Sequence, residues 1–77
     1  MTQPTLKRGS EGQEVKDLQE ALIALDFKPG KVDGVFGVYT ESAVKAFQTW
    51  ANLMYDGIVG PATWEKLDEA EKPGAAP

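Results

Sequence analysis

Apolar side chains recur with a helical period in three separate stretches of this chain. At one hundred degrees per residue, Val15, Leu18, Leu22 and Leu25 fall within a single arc of about eighty degrees, with Lys16, Asp17 and Glu20 outside it. Ile23 lies apart from that stripe. Ser10 stands three positions before Gln13, a capping-box arrangement, so a first helix is expected to start near Glu11 or Gly12 and to run to about Leu25. Phe27-Lys28-Pro29-Gly30-Lys31 cannot continue it, because Pro29 lacks an amide hydrogen and Gly30 loosens the backbone. From Val38 to Ala51 a second stripe, Tyr39, Thr40, Ala43, Val44, Ala46, Phe47, Trp50 and Ala51, covers about 160 degrees of the wheel, opposite Glu41, Ser42, Lys45, Gln48 and Thr49. Asn52, a residue suited to the left-handed conformation that closes helices, marks its end. Pro61, favoured at a first helical position, opens a third segment over 61–70 that should bury Trp64 and Leu67.

The connections carry a repeat. Asp33, Gly34, Gly37 and Thr40 reappear as Asp56, Gly57, Gly60 and Thr63, each displaced by the same 23 positions (33 to 56, 40 to 63). Each DGxxGxxT string stands at the entrance of an amphipathic segment, which places Gly37 and Gly60 at or beside N-caps. Thr40 and Thr63 then fall in a first helical turn, where a hydroxyl can meet an unpaired amide or the Asp of its own repeat. Asp-Gly is first a turn former, since Asp bonds its own downstream amides and Gly accepts positive φ. Asp33 and Asp56 are therefore read as local caps. A hairpin turn is open to each pair taken singly, but the helical text downstream argues against a hairpin as the whole account. The fold class that follows is all-α, a small three-helix bundle with two DGxxGxxT helix-entry turns. Residues 1–5 read as a lead-in, 6–71 as the domain and 72–77, Lys-Pro-Gly-Ala-Ala-Pro, as a linker-like tail.

Composition narrows the chemistry. At 77 residues the chain holds one small core and little cover for a cavity. It contains no cysteine and no histidine, which removes thiolate nucleophiles, disulfides, the commonest general base and the commonest metal ligand. The net charge of −4, with basic residues scattered, speaks against nucleic acid, and no apolar run approaches a membrane span. MTQPT lacks the basic and apolar regions of a secretory signal, so no export signal is read there. Neither DG turn has the dense oxygen ligands of a calcium loop, so no metal and no cofactor are expected. Paired carboxylates could hydrolyse a glycoside, but three short helices offer scant cover for the required cleft, and Glu41, Glu65, Asp68 and Glu69 read as a solvated face. No catalytic residue is assigned.

Of the seven aromatics, Phe47 and Trp64 lie mid-stripe and are expected in the core. Tyr39 and Trp50 share one edge of the second helix, where a ring can pack with one face and keep its polar tip wet. Half-buried packing and contact with a ligand both remain open for them, and for Tyr55 and Phe36 beside the two DG turns.

With these residues set out, the chain resembles the three-helix peptidoglycan-binding domains attached to bacterial and phage cell-wall hydrolases. The likeness runs from about Leu6 to Leu67: the LKRGSEGQEVKDLQEAL opening, the Leu22, Leu25 and Phe27 ending of the first helix, VDGVFGVYTESAVKAFQ, and YDGIVGPATWEKL. Departures sit in connections, with Asp26 where the family usually has Gly, Val38 where it has Pro, and Asn52-Leu53-Met54 in place of a Gly-Leu-Pro type link. The resemblance implies non-catalytic binding of peptidoglycan, through glycan strand or stem peptide, by a monomer in the cell wall, periplasm or extracellular space, with hydrolysis left to a linked or partner enzyme. It implies a ligand surface between the Lys31 to Tyr39 turn and the Trp50 to Tyr55 connection, formed by Lys31, Asp33, Gly34, Tyr39, Trp50, Tyr55, Asp56 and Gly57. The alternative is a protein-interaction domain of the pro-segment kind, without glycan binding.

Overall fold

The computed structural model describes residues 4–71; the first three residues and the linker-like tail 72–77 lie outside the described residues. Three helices follow in order, α1 (Gln13–Ala24), α2 (Val38–Trp50) and α3 (Pro61–Glu71). Among the described residues there is no extended strand, only two isolated antiparallel bridges, Leu6 with Val59 and Glu11 with Val35.

The core follows the predicted stripes. Val15, Leu18 and Leu22 of α1, Val44 and Phe47 of α2, and Leu67 of α3 are buried together with Leu6, Phe36 and Val59 from the connections. Full burial of a side chain of this size stabilises by about 2 kcal/mol, so these contacts outweigh any single polar interaction in the molecule. Ile23 is exposed and Leu25 packs at the margin. Trp64 is half-buried rather than central, because its indole Nε1 donates to the Pro4 carbonyl at 2.8 Å and holds the ring at the edge of the bundle. Phe36, for which a ligand role was open, is 1% exposed and belongs to the core.

Residues 6–12 thread between the two DG turns. Leu6 and Val59 exchange amide–carbonyl hydrogen bonds, Gly9 N donates to Phe36 O, Phe36 N to Ser10 O, and Gly12 N to Gly34 O. This pairing corrects the capping box: Glu11 and Gly12 are held against the first turn, so α1 begins at Gln13, with Gly12 as an N-cap that makes no side-chain bond. The Ser10 hydroxyl instead accepts from Lys7 N, and the Gln13 amide donates to Asp17.

Both long helices close with the same left-handed cap. Asp26 has φ 67° and Asn52 φ 63°. Phe27 N reaches Leu22 O and Asp26 N reaches Ile23 O at the first, while Leu53 N reaches Gln48 O and Asn52 N reaches Thr49 O at the second. These six-to-one and five-to-two bonds satisfy carbonyls that a helix end otherwise leaves open, and they turn the chain sharply toward each DG segment.

Candidate functional site

Each DG turn is organised by a buried glutamine. In the first, Asp33 Oδ1 accepts from its own downstream amide, Val35 N, at 2.9 Å, the local cap expected of Asp-Gly. Gln19, on α1, reaches the same turn from the core side. Its Oε1 accepts from Gly34 N at 3.0 Å, and its Nε2 lies 3.2 Å from Asp33 Oδ1, 3.0 Å from Val35 O and 3.0 Å from Thr40 Oγ1. Gln19 is fully buried, and the turn supplies an acceptor or donor for every polar atom of its amide. Gly34 takes φ 78°, and a Cβ there would stand 3.2 Å from the Gly12 carbonyl oxygen, so glycine is needed both for the turn and for the approach of the N-terminal segment.

The second turn repeats this arrangement on α2. Asp56 Oδ1 accepts from Ile58 N at 2.9 Å, Gln48 Oε1 accepts from Gly57 N at 3.0 Å, and Gln48 Nε2 faces Asp56 Oδ1, Ile58 O and Thr63 Oγ1 at 3.1, 2.9 and 3.2 Å. Two expectations change here. Thr40 and Thr63 accept from the glutamines rather than meeting a free amide or their own Asp. Gln48, placed by its polarity on the solvent face of α2, is 1% exposed, whereas Ala46 is exposed. The buried arc of α2 is therefore rotated toward Gln48, because a glutamine with all its hydrogen-bonding atoms matched can enter a core that an unmatched one cannot.

A signal for the glutamines is present in the sequence. Val15-Lys16-Asp17-Leu18-Gln19 and Val44-Lys45-Ala46-Phe47-Gln48 share a VKxxQ pattern at an offset of 29 (15 to 44, 19 to 48), which the 23-residue repeat of the turns conceals.

The surroundings of the two turns differ. From Gln to Asp the first unit spans 14 positions (19 to 33) and the second 8 (48 to 56). Three of the six extra residues lengthen α1 beyond its Gln (19 to 26 against 48 to 52) and three lengthen the loop after the left-handed cap (26 to 33 against 52 to 56). In that longer loop Pro29 is buried, and its carbonyl accepts from the Thr40 hydroxyl at 3.4 Å. Gly30, with φ 84°, comes so close to α2 that a Cβ would lie 3.2 Å from Tyr39 Cβ. Between the loop and the start of α2 lies an open pocket of about 280 Å³, with Gln19 and Thr40 among its lining and Lys31, Asp33, Val35 and Tyr39 around it.

The Asp33 carboxyl is held below the ordinary carboxylate range. The main cause is the hydrogen bond from Val35 N, followed by that from Gln19; partial desolvation opposes them, and Lys31 adds a small favourable charge. This carboxylate is ionised at neutral pH.

Of the residues assigned to a ligand surface, the pocket brings together Lys31, Asp33 and Tyr39. Gly34 is buried behind it. Trp50 lies eleven residues further along α2 than Tyr39, about 16 Å along the axis. There it packs in an aromatic cluster, its centroid 6.1 Å from Phe27 and 5.7 Å from Phe47, and remains 45% exposed. Tyr55 is exposed beside the second turn, where Asp56 and Gly57 belong to the Gln48 network. Among the described residues no cluster of carboxylates could hold a metal ion.

Comparison with known proteins bears on this arrangement. Residues 11–67 match the family model described as "Putative peptidoglycan binding domain". The chain is 44% identical over 77 residues to an uncharacterized protein of Kitasatospora aureofaciens, covering 99% of this chain and 65% of that one. It is 47% identical over 64 residues to the N-acetylmuramoyl-L-alanine amidase CwlL of Bacillus licheniformis, covering 80% of this chain but 18% of the amidase. The chain thus spans less than two thirds of either relative. Among solved structures it is similar to the SleB N-terminal domain, with a TM-score of 0.88, 39% identity, and coverage of 94% of this chain and 99% of that one. With three helices in the same arrangement and more than half its length matched, this chain belongs to the peptidoglycan-binding domain family.

Proposed function

We propose that this chain binds bacterial peptidoglycan non-covalently and carries no chemistry of its own, so that an enzyme linked to it or bound by it is concentrated at the wall. Weak attachment suffices for such a role, because tethering converts the enzyme's encounter with an insoluble polymer into a local one. The observation that carries this reading is the pocket at the first DG turn in a chain of this family, on which charged and aromatic groups converge. CwlL and the spore cortex-lytic enzyme of Bacillus cereus, which is 42% identical over 67 residues, are wall-degrading enzymes by name, and this chain corresponds to 18% and 26% of their lengths. The wall polymers on which these names say they act support a place for this chain in the cell wall or outside the cell.

In this reading Lys31, Asp33 and Tyr39 make the primary contacts, Gly34 shapes their turn, and Trp50 and Tyr55, with the Asp56-Gly57 turn, offer a second, aromatic contact region for an extended polymer. The test is sedimentation with purified murein sacculi. The chain is expected in the pellet at low and high salt; a chain left wholly in the supernatant would refute wall binding. Replacing Tyr39 and Trp50 together by Ser should weaken pelleting beyond what lost stability explains, since Tyr39 is exposed and Trp50 packs on Phe27 and Phe47 while remaining 45% exposed. Undiminished binding by a folded double variant would remove both rings from the ligand surface.

A further inference from the structure

Lys31 and Asp33 both line the pocket at the first turn, and neither forms an ion pair within 4.0 Å among the described residues. Asp33 Oδ1 accepts from Val35 N and Gln19 Nε2, which orients the carboxylate, and no residue among the described ones hydrogen-bonds Oδ2. Lys31 stands two residues away on the loop. The wall between them and α2 is apolar and open, with Val35 45%, Val38 55% and Tyr39 75% exposed. A fixed carboxylate, a nearby ammonium and an apolar wall around about 280 Å³ describe a receptor for a small zwitterion carried on an aliphatic chain.

Resting on the wall-binding reading above, we propose that this pocket takes the free end of a diamino acid in an uncrosslinked stem peptide: its ammonium on Asp33, its carboxylate on Lys31, and its methylenes along Val38 and Tyr39. A neutral N-acetylated sugar could fill the same volume, but it would crowd both charges without pairing either, at a cost in lost hydration. The second turn offers no such pair, since Met54 and Tyr55 precede Asp56 where Lys31 and Val32 precede Asp33. The module would thereby favour wall whose stem peptides are not yet crosslinked.

The experiment titrates the isotope-labelled chain with an uncrosslinked muropeptide ending in free diaminopimelate, beside the same compound acetylated on the free amine. Amide shifts are expected at Lys31, Val35 and Tyr39, with affinity falling roughly fivefold on acetylation, the upper scale of a solvent-accessible ion pair. Asp33→Asn, which keeps an oxygen for Val35 N and Gln19, should lose the same factor on the free compound and nothing further on the acetylated one. Asp68→Asn, on the exposed face of α3 and outside the ligand surface, should bind as the unaltered chain does. Equal affinity for the two compounds, shifts confined to Trp50 and Tyr55, or no shifts at all would each overturn the proposal. If Asp33→Asn does not fold, the two compounds on the unaltered chain decide alone. Amine-independent binding with sacculi still pelleting the chain would leave the wall-binding reading standing. Amine-dependent binding without sacculus attachment would leave the pocket and remove the wall.

Discussion

The unit built on Gln19 and the unit built on Gln48 use the same atoms in the same bonds, from the Asp cap to the Thr hydroxyl, yet the pocket described above lies at the first. Six additional residues between Gln and Asp account for much of the difference. They let Pro29 and Gly30 swing against α2 beside Tyr39, whereas the second unit has only Leu53, Met54 and Tyr55 between cap and Asp, and Ala62 at the position of Tyr39. A structural device that serves to lock a turn onto a helix has thus been kept in both places, and a longer loop beside one copy has opened room for a ligand. The turn and its function are separable: the glutamine network supplies rigidity, and the insertion supplies the concave surface.

The largest effect should come from removing the glutamines. Gln19→Ala and Gln48→Ala each strand a buried amide, a carbonyl and a hydroxyl, and should each cost about 3 kcal/mol in chemical denaturation. Similar losses would confirm that the two networks are equivalent; a tolerated change at one of them would mean that only the other holds the fold.

A smaller and unequal effect is expected at the glycines. Gly34→Ala and Gly57→Ala both force a left-handed residue, costing about 1 kcal/mol. At position 57 the new Cβ meets flexible groups, Glu41 Cγ at 3.0 Å and Lys45 Cε at 3.1 Å, which can move. At position 34 it meets the Gly12 carbonyl, which is pinned by its place at the start of α1, so Gly34→Ala should lower the melting temperature more. The reverse order would show that the N-terminal segment yields more readily than the helix surface.

The smallest effect concerns acid. The Asp33 carboxyl is depressed in the folded state, so its contribution to stability is present above the unfolded carboxylate range and is lost as pH falls through the folded value. Denaturation followed from pH 6 down to about pH 2 should therefore fall less steeply in Asp33→Asn than in the unaltered chain. Parallel curves would show that the carboxylate's bonds are no stronger in the folded turn than in the unfolded chain.

Helix number, order and ends are set by features local to the chain: the 3.6-residue stripes, Pro61, the left-handed caps at Asp26 and Asn52, and the Asp-Gly turns. Each depends on interactions within a few positions, which the linear sequence carries directly. The capping box of Ser10 and Gln13 does not form at the start of α1, since that pattern is local but Glu11 and Gly12 pair with a segment more than twenty residues away.

The sequence by itself determined three helices, two DG turns and the family to which they belong. Only the tertiary structure decided that Gln19 and Gln48 lie inside the core, because their burial requires partners at positions 33–40 and 56–63, and polarity alone assigns a glutamine to water. The same holds for the division of Tyr39 from Trp50. One edge of a helical wheel holds them both, but the loop that makes a pocket at Tyr39, and the phenylalanines that flank Trp50, come from different parts of the chain and meet only in the folded molecule.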